Sequence, residues 1–367
     1  NMRLPREGLT VLALEQAVAA PFCTSRLADA GARVIKIERP EGDFARGYDD
    51  VAKGQSSYFV WLNRGKESVV LNLASDEGKA AFRELVSQAD ILVQNLKPGA
   101  LTRLGFPIEE LRQTYPRLIT LSISGYGDEG PLAARKAYDL LIQAESGLCS
   151  ITGGAEEPAR VGVSIVDIAT GQTAHAAVLE AVIARSISGE GADIRISMFD
   201  VMADWMTVPL LNHEGGKTPK RMGLRHPSIA PYGVFQTRDG VSLLISIQRE
   251  WASLCHHVLD DESAITDERF ATNVVRVRNR AETDNLVARS FAARDADALE
   301  EMLDGADIAF ARVNDTGALS SHPHLRRITV DTPEGAVAYP APAAIFIGAP
   351  RRYGPVPGIG EKPIQKV

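Results

Sequence analysis

Cysteine is scarce: three residues in a chain of 367, Cys23, Cys149 and Cys255, set far apart and without a CxxC pair. That excludes a disulfide framework and fits a reducing cytoplasm as the expected compartment. Positive charge is not in excess either. The net charge of −7 argues against nucleic acid as the main partner, although it leaves room for a local basic pocket holding an anionic ligand. No uninterrupted apolar run approaches the ~18 residues that a bilayer span requires, so no membrane partner is expected. The segment AVAA at 17–20 imitates a signal-peptide cleavage site. Glu15 and Gln16 interrupt the apolar stretch before it, and Pro21 and Phe22 continue a folded pattern, so a signal peptide is not expected. Asn1 ahead of Met2 reads as a cloning remnant.

Several catalytic fingerprints are missing as well. The chain has no P-loop, no HExxH and no GxSxG. Its opening strand, helix and second strand ending in Glu38 imitate a dinucleotide-binding domain, but the first turn reads EQAVAAPFC and has no glycine before Gly31. Without GxGxxG the backbone cannot approach a pyrophosphate, which argues against a nicotinamide dehydrogenase. His256-His257 and His322-Pro-His324 lack acidic or cysteine partners at ligand spacing and read as surface or capping residues. No metal and no tightly bound cofactor is expected.

What the chain does have is a regular alternation. TVLAL (10–14), RVIKIERP (33–40), SVVLN (68–72), DILVQN (90–95) and RLITLSIS (117–124) read as strands. Helices are expected over 20–31 and from about Asp76 to Ser87, the latter with Ser75 in the N-cap position, and in LTRLG and PIEELRQTY. A helix over 168–186, the strand ADIRIS (192–197) and the helix FDVMADWM (199–206) extend the rhythm. This order predicts an α/β fold with a mostly parallel, Rossmann-like sheet covered on both faces. After residue 212 the texture changes to Gly, Pro and basic residues, then to a hairpin around Asp239-Gly240 and helices near 249–259, 279–292 and 296–304, followed by IAFARVN (308–314). The expected organisation is a large domain over 1–210 plus 326–367, a linker over 211–225, and a smaller α+β domain over 226–325. TPEGAVAY gives the tail hairpin character.

The stretch RVGVSIVDIATGQTAH (160–175) places one carboxylate, Asp167, among small and apolar residues. Burying an unpaired carboxylate is costly, so such a residue caps a helix, pairs with a cation or does chemistry. From this stretch alone, the N-cap of the 168–186 helix and a nucleophile are both open.

EGLTVLALEQAVAAPFCTSRLADAGARVIKIERPEGD resembles the opening of the class III CoA-transferases, which include formyl-CoA transferase and α-methylacyl-CoA racemase. LNRGKESVVLNL (62–73), ILVQNLKPGALTRLG (91–105), LITLSISGYGDEGP (118–131), KAYDLLIQAESG (136–147) and VDIATG (166–171) follow in the family's order. The resemblance covers nearly the whole chain, more strongly before residue 210. It implies coenzyme A as a co-substrate, an acyl-CoA and a small carboxylic acid as partners, and an interlocked homodimer whose chains pass through each other like linked rings. It implies that Asp167 attacks the thioester to form a mixed anhydride and then an aspartyl-CoA thioester.

For the nucleotide end the resemblance places Arg39, with Lys97, Arg103 and Lys136 in or beside blocks lining the CoA site. Arg103 is the preferred phosphate ligand because a guanidinium binds phosphate through two donors. Val18, Ala19 and Asn95 are expected to supply close backbone and small-residue contacts. The family's racemases carry a histidine where this chain has Tyr138. A phenol is a poor proton shuttle at neutral pH but can hydrogen-bond an acyl group, which favours transferase over racemase. The alternatives are a racemase using Asp167 as a base, or a silent CoA-binding regulator. The glycine-run loop of formyl-CoA transferase is absent, and GLRHPSIAPYG (223–233) occupies the comparable region. An acceptor carboxylate beside anionic Asp167 calls for a cation. Arg46 or Arg225, with Gln16 as a neutral donor, is the expected receptor for a short dicarboxylic acid.

Overall fold

The strand β1 (Thr10–Leu14) is apolar and buried after Thr10 because both of its faces are covered. Val11 and Ala13 pack on one side with Val34, Ile91 and Ile119, and Leu12 and Leu14 pack on the other with Ile35, Val69 and Phe82. A strand buried on both faces reads as a continuous hydrophobic run rather than an alternation. The computed structural model describes residues 8–367. Residues 1–7, with the Asn1–Met2 start, lie outside the described residues.

From β1 the chain runs through α1 (Ala19–Asp29), β2 (Arg33–Glu38), α2 (Ser57–Leu62), β3 (Lys66–Val70), α3 (Asp76–Gln88) and β4 (Ile91–Gln94). It continues through α4 (Ala100–Arg103), α5 (Ile108–Thr114), β5 (Ile119–Ser124), α6 (Asp139–Glu145), the short turn α7 (Leu148–Ile151) and α8 (Ile165–Ser188). Then come β6 (Asp193–Ser197), α9 (Met198–Trp205) and α10 (Thr207–Glu214). All six strands pair in parallel, in the order β3-β2-β1-β4-β5-β6. That is the doubly wound order, and its switch point lies between β1 and β4, the place where such sheets bind ligands beyond the strands' carboxyl ends. The Ser75 hydroxyl caps α3, accepting from Gly78 N at 3.0 Å as its sequence position suggests.

Glu38, the acid that imitates a ribose ligand, is turned inward. It accepts from the Ser68 hydroxyl, from Asp43 N at 2.8 Å and from the Arg46 guanidinium at 2.8–2.9 Å.

The described chain divides into two compact units. The first holds the parallel sheet together with residues 326–367, where β10 (Arg327–Val330) and β11 (Val337–Pro340) pair antiparallel and pack on Phe59 and Val60. The second comprises Ile151–Ala159 and Lys220–Leu325. Its antiparallel sheet β7 (Tyr232–Gln236), β8 (Ser242–Ser246) and β9 (Phe310–Arg312) encloses a core of Leu243, Ile245, Trp251, Phe291 and Leu303. α10 runs into the 211–225 stretch that reads as linker. Its Pro209 falls in the first turn, where a missing N–H costs no helical bond. Among the described residues no helix is long and apolar enough to cross a membrane, and no group of three or more His, Cys, Asp or Glu could hold a metal ion.

Candidate active site

α8 begins at Ile165, earlier than its apolar pattern suggests, so Asp167 lies inside the first turn rather than ahead of the helix. The N-cap reading of Asp167 is thereby corrected. The capping is done from another element: Asp139, first residue of α6, accepts the Asp167 N–H through Oδ1 at 2.9 Å. Its Oδ2 accepts from Gln143 Nε2 at 2.7 Å, and Oε1 of the buried Gln143 side chain in turn accepts from Val161 N at 2.9 Å. A helix N-terminus needs acceptors for its free N–H groups, and Asp139 supplies one across 28 residues of sequence.

That leaves the Asp167 carboxylate without a hydrogen-bond partner among the described residues. Burial, and then the neighbouring Asp139 charge, push it up to about 7. The helix N-terminus acts in the opposite direction but does not prevail. Tyr48 feels the same cluster. Burial, then Asp43, Asp167 and Tyr138, raise its phenol, and its ring meets Tyr58 edge-on at 5.5 Å.

Gly171, one turn further along α8, sets how close α1 comes. A Cβ there would lie 2.8 Å from the Ala19 carbonyl and 2.7 Å from Phe22 Cβ. Ile168 packs against the Val18, Phe22 and Leu62 cluster. These contacts bring the β1–α1 turn to the Asp167 end of α8. Val18 and Ala19 are buried, so they can offer a ligand only backbone. Asn95, at the end of β4, uses its whole amide on the turn: Oδ1 accepts from Gln16 N at 3.0 Å and Nδ2 donates to Gln16 O at 2.9 Å.

Gln16 and Arg39 line a cavity of about 210 Å³ beyond the carboxyl ends of β1 to β4, with Leu71, Leu73 and Leu96 as apolar wall. The Arg39 guanidinium stacks on Phe44 at 3.8 Å and stays half-exposed. Lys97 lines a larger polar cleft of about 580 Å³ with Ser122, Ser124 and Arg195. Arg103 and Lys136 are exposed and line neither space. Arg103 donates to the Pro98 carbonyl at 3.3 Å.

Arg46 is occupied. It forms a fork with Glu38, donates to Pro357 O at 3.2 Å and stacks on Phe59 at 3.7 Å, so its charge is already neutralised. As the expected carboxylate receptor, Arg46 would share its guanidinium with Glu38. Arg225 belongs to the second unit, exposed and with its charge felt by Asp284. Tyr138, at the start of α6, is 65% exposed. The GLRHPSIAPYG loop is pinned within its own unit, where Arg280 donates to His226 O and Ile229 O and Asn273 donates to Ser228 O.

Sequence reasoning missed Asp139 as a partner of Asp167, Tyr48 as a neighbour, and the buried ions beneath the β1–α1 turn. The one available signal was an acid directly after Tyr138, in a block already singled out.

A family model described as CoA-transferase family III matches residues 7–362. An acetyl-CoA:oxalate CoA-transferase of Acetobacter aceti is 42% identical over 280 residues, 75% of this chain and 72% of that protein. A succinate–glutarate CoA-transferase of Agrobacterium fabrum is 36% identical over 299 residues, 78% of this chain and 74% of its own length. Among solved structures, a CAIB/BAIF family protein from Brucella suis superposes with a TM-score of 0.86 at 33% identity, covering 98% of this chain and 97% of that one. A match of this length, on a sheet of this order, leaves one assignment: the chain belongs to CoA-transferase family III.

Proposed function

We propose that this class III CoA-transferase moves CoA between an acyl-CoA thioester and a short dicarboxylic acid, with Asp167 as nucleophile. The observation that carries the reading is a half-buried carboxylate with no hydrogen-bond partner among the described residues, held at about 7 beside a second acid. A poorly solvated carboxylate is a stronger nucleophile than a hydrated one. Its attack on the thioester carbonyl gives a mixed anhydride and CoA thiolate. The thiolate then attacks the aspartyl carbonyl, releasing the first acid and leaving an aspartyl-CoA thioester. The acceptor carboxylate repeats the two steps in reverse, and Asp167 is regenerated. The α8 N-terminus lies where negative charge develops.

In this reading the adenine end of CoA takes the apolar 210 Å³ cavity with Arg39 on its rim, and Lys97, Arg103 and Lys136 meet phosphate. The Gln16–Ala19 backbone lies along the acyl end. Named relatives act on oxalate and glutarate, which supports a dicarboxylate here. With Arg46 occupied, Tyr138 and Gln16 are its proposed donors. Large apolar side chains exposed on α8 to α10 (Ile187, Trp205, Val208, Leu211) and in the tail (Ile345, Ile347) support a homodimer. Light scattering on the purified protein tests that.

The function is tested by incubating the protein with acyl-CoAs and free acids and following products by mass spectrometry. CoA exchange onto a C4–C5 dicarboxylate in preference to a monocarboxylate of the same length supports the reading. Exchange of the Cα proton without CoA exchange overturns it in favour of a racemase, and CoA binding without turnover overturns it in favour of a regulator.

A further inference from the structure

The β1–α1 turn is bent in an unusual way. Ala17 has φ of 68°, a left-handed conformation that L-residues other than Asn and Asp rarely adopt. It persists only if its surroundings hold it, and such residues cluster where a backbone must be aimed. One side chain does the holding. Asp43 Oδ1 accepts from Ala17 N at 2.9 Å and from Ala45 N at 2.9 Å, while its Oδ2 takes the Lys36 ammonium at 2.7 Å. Lys36 has no exposure to solvent. It also donates to Asn63 Oδ1 at 3.0 Å and lies 3.8 Å from Glu15. A carboxylate with both oxygens committed, anchored to a buried cation, cannot reorient.

We propose that Asp43, anchored by Lys36, is a positioning residue for CoA transfer: it locks left-handed Ala17 and so aims the Gln16–Val18 backbone at the site of acyl chemistry beside Asp167. The inference rests on the transferase reading above, in which that backbone lies along the acyl group. Asn95 fixes Gln16 from the β4 side, and Asp43 fixes the next peptide from the β2 side, so the turn is clamped from both sides of β1. The pair touches no reacting atom. It acts through the turn.

Asp43→Ala removes the acceptor. Asp43→Asn keeps an oxygen for the Ala17 N–H but loses the charge and the acceptor for the Lys36 ammonium. Ala17→Gly keeps Asp43 and frees the backbone, and glycine adopts this φ without strain, so that variant folds. In a CoA-exchange assay, folded Asp43→Ala should lose kcat about 30-fold with KM for the acyl-CoA changed less than threefold. Asp43→Asn, which keeps the Ala17 contact without the Lys36 anchor, should recover only part of the loss. Ala17→Gly should lose kcat about fivefold with melting temperature unchanged or raised, a split that a merely structural role does not produce.

Hydrogen exchange of the 15–22 segment, which needs no turnover, should quicken at least tenfold in Asp43→Ala and Ala17→Gly. The proposal is overturned if folded Asp43→Ala keeps kcat within twofold of wild type. If Asp43→Ala does not fold, it is overturned by Ala17→Gly keeping kcat within twofold. A wild-type protein without CoA exchange overturns the transferase reading instead, and the exchange rates of the 15–22 segment then decide whether Asp43 locks the turn.

Discussion

Two sets of charge, one buried and one half-buried, lie within the first unit, and they are treated in opposite ways. Beneath the β1–α1 turn, Glu15, Lys36, Asp43 and Lys66 balance two acids against two bases. Lys66 donates to Glu15 Oε1, Asn63 Oδ1 and Pro21 O at 3.0–3.1 Å. At the start of α8, Asp167 and Asp139 are two acids with no cation between them and no partner for the Asp167 carboxylate among the described residues. Buried ions are tolerated when paired and hydrogen-bonded. The first set obeys this, and its sequence positions have no chemistry left to do. The second breaks it, and a group kept in a costly state is a candidate for function.

The comparison can be broken most directly at Asp167. Asp167→Ala should lose at least about a thousandfold in turnover while keeping the fold, in the range expected for removing a nucleophile. Hydroxylamine added with acyl-CoA to the wild type should yield a hydroxamate at Asp167 by peptide mass spectrometry. Retained transfer in Asp167→Ala would remove the contrast.

Next in size is the balanced set. Lys36→Met leaves Asp43 and Glu15 short of a cation and should cost about 3–5 kcal/mol in denaturant unfolding, the usual loss when one partner of a buried pair is removed. A cost below about 1 kcal/mol would mean that these ions are not compensating one another. At the nucleotide end, where cations are exposed, effects should be smaller. Arg39→Ala and Arg103→Ala should each raise KM for CoA esters about fivefold, on the order of 1 kcal/mol of uniform binding, with kcat held.

The remaining two predictions concern pH. Asp139→Asn keeps an oxygen for the Asp167 N–H but removes the like charge, so Asp167 should ionise at lower pH. The ascending limb of kcat against pH, centred near 7 in the wild type, should move about one unit toward acid. Burial, the larger cause, remains, so it should not fall to the ordinary range. The smallest effect is on stability. A folded-state pKa raised above the unfolded value makes the ionised carboxylate destabilising above pH 7, and that penalty fades as pH falls from 7 toward 4. Asp167→Asn should therefore melt a few degrees higher at pH 8, with the gain shrinking by pH 5.

Much of this molecule was legible without coordinates. The strands of the parallel sheet, the Ser75 cap and the hairpin at Asp239-Gly240 all come from local pattern: apolar runs and turn residues. Local pattern suffices there because propensity, capping and strand burial act over a few residues. Tertiary structure decided which charges meet. Arg46 reads as a receptor for a substrate carboxylate and is paired with Glu38 and stacked on Phe59. Asp167 reads as either a cap or a nucleophile, and its own N–H is capped by Asp139. Asn95 reads as a ligand contact and instead clamps the Gln16 backbone. Coulomb energy and desolvation depend on distance in space and on exclusion of water, and a one-dimensional sequence specifies neither until the sheet has brought residues 16, 43, 95, 139 and 167 into one neighbourhood.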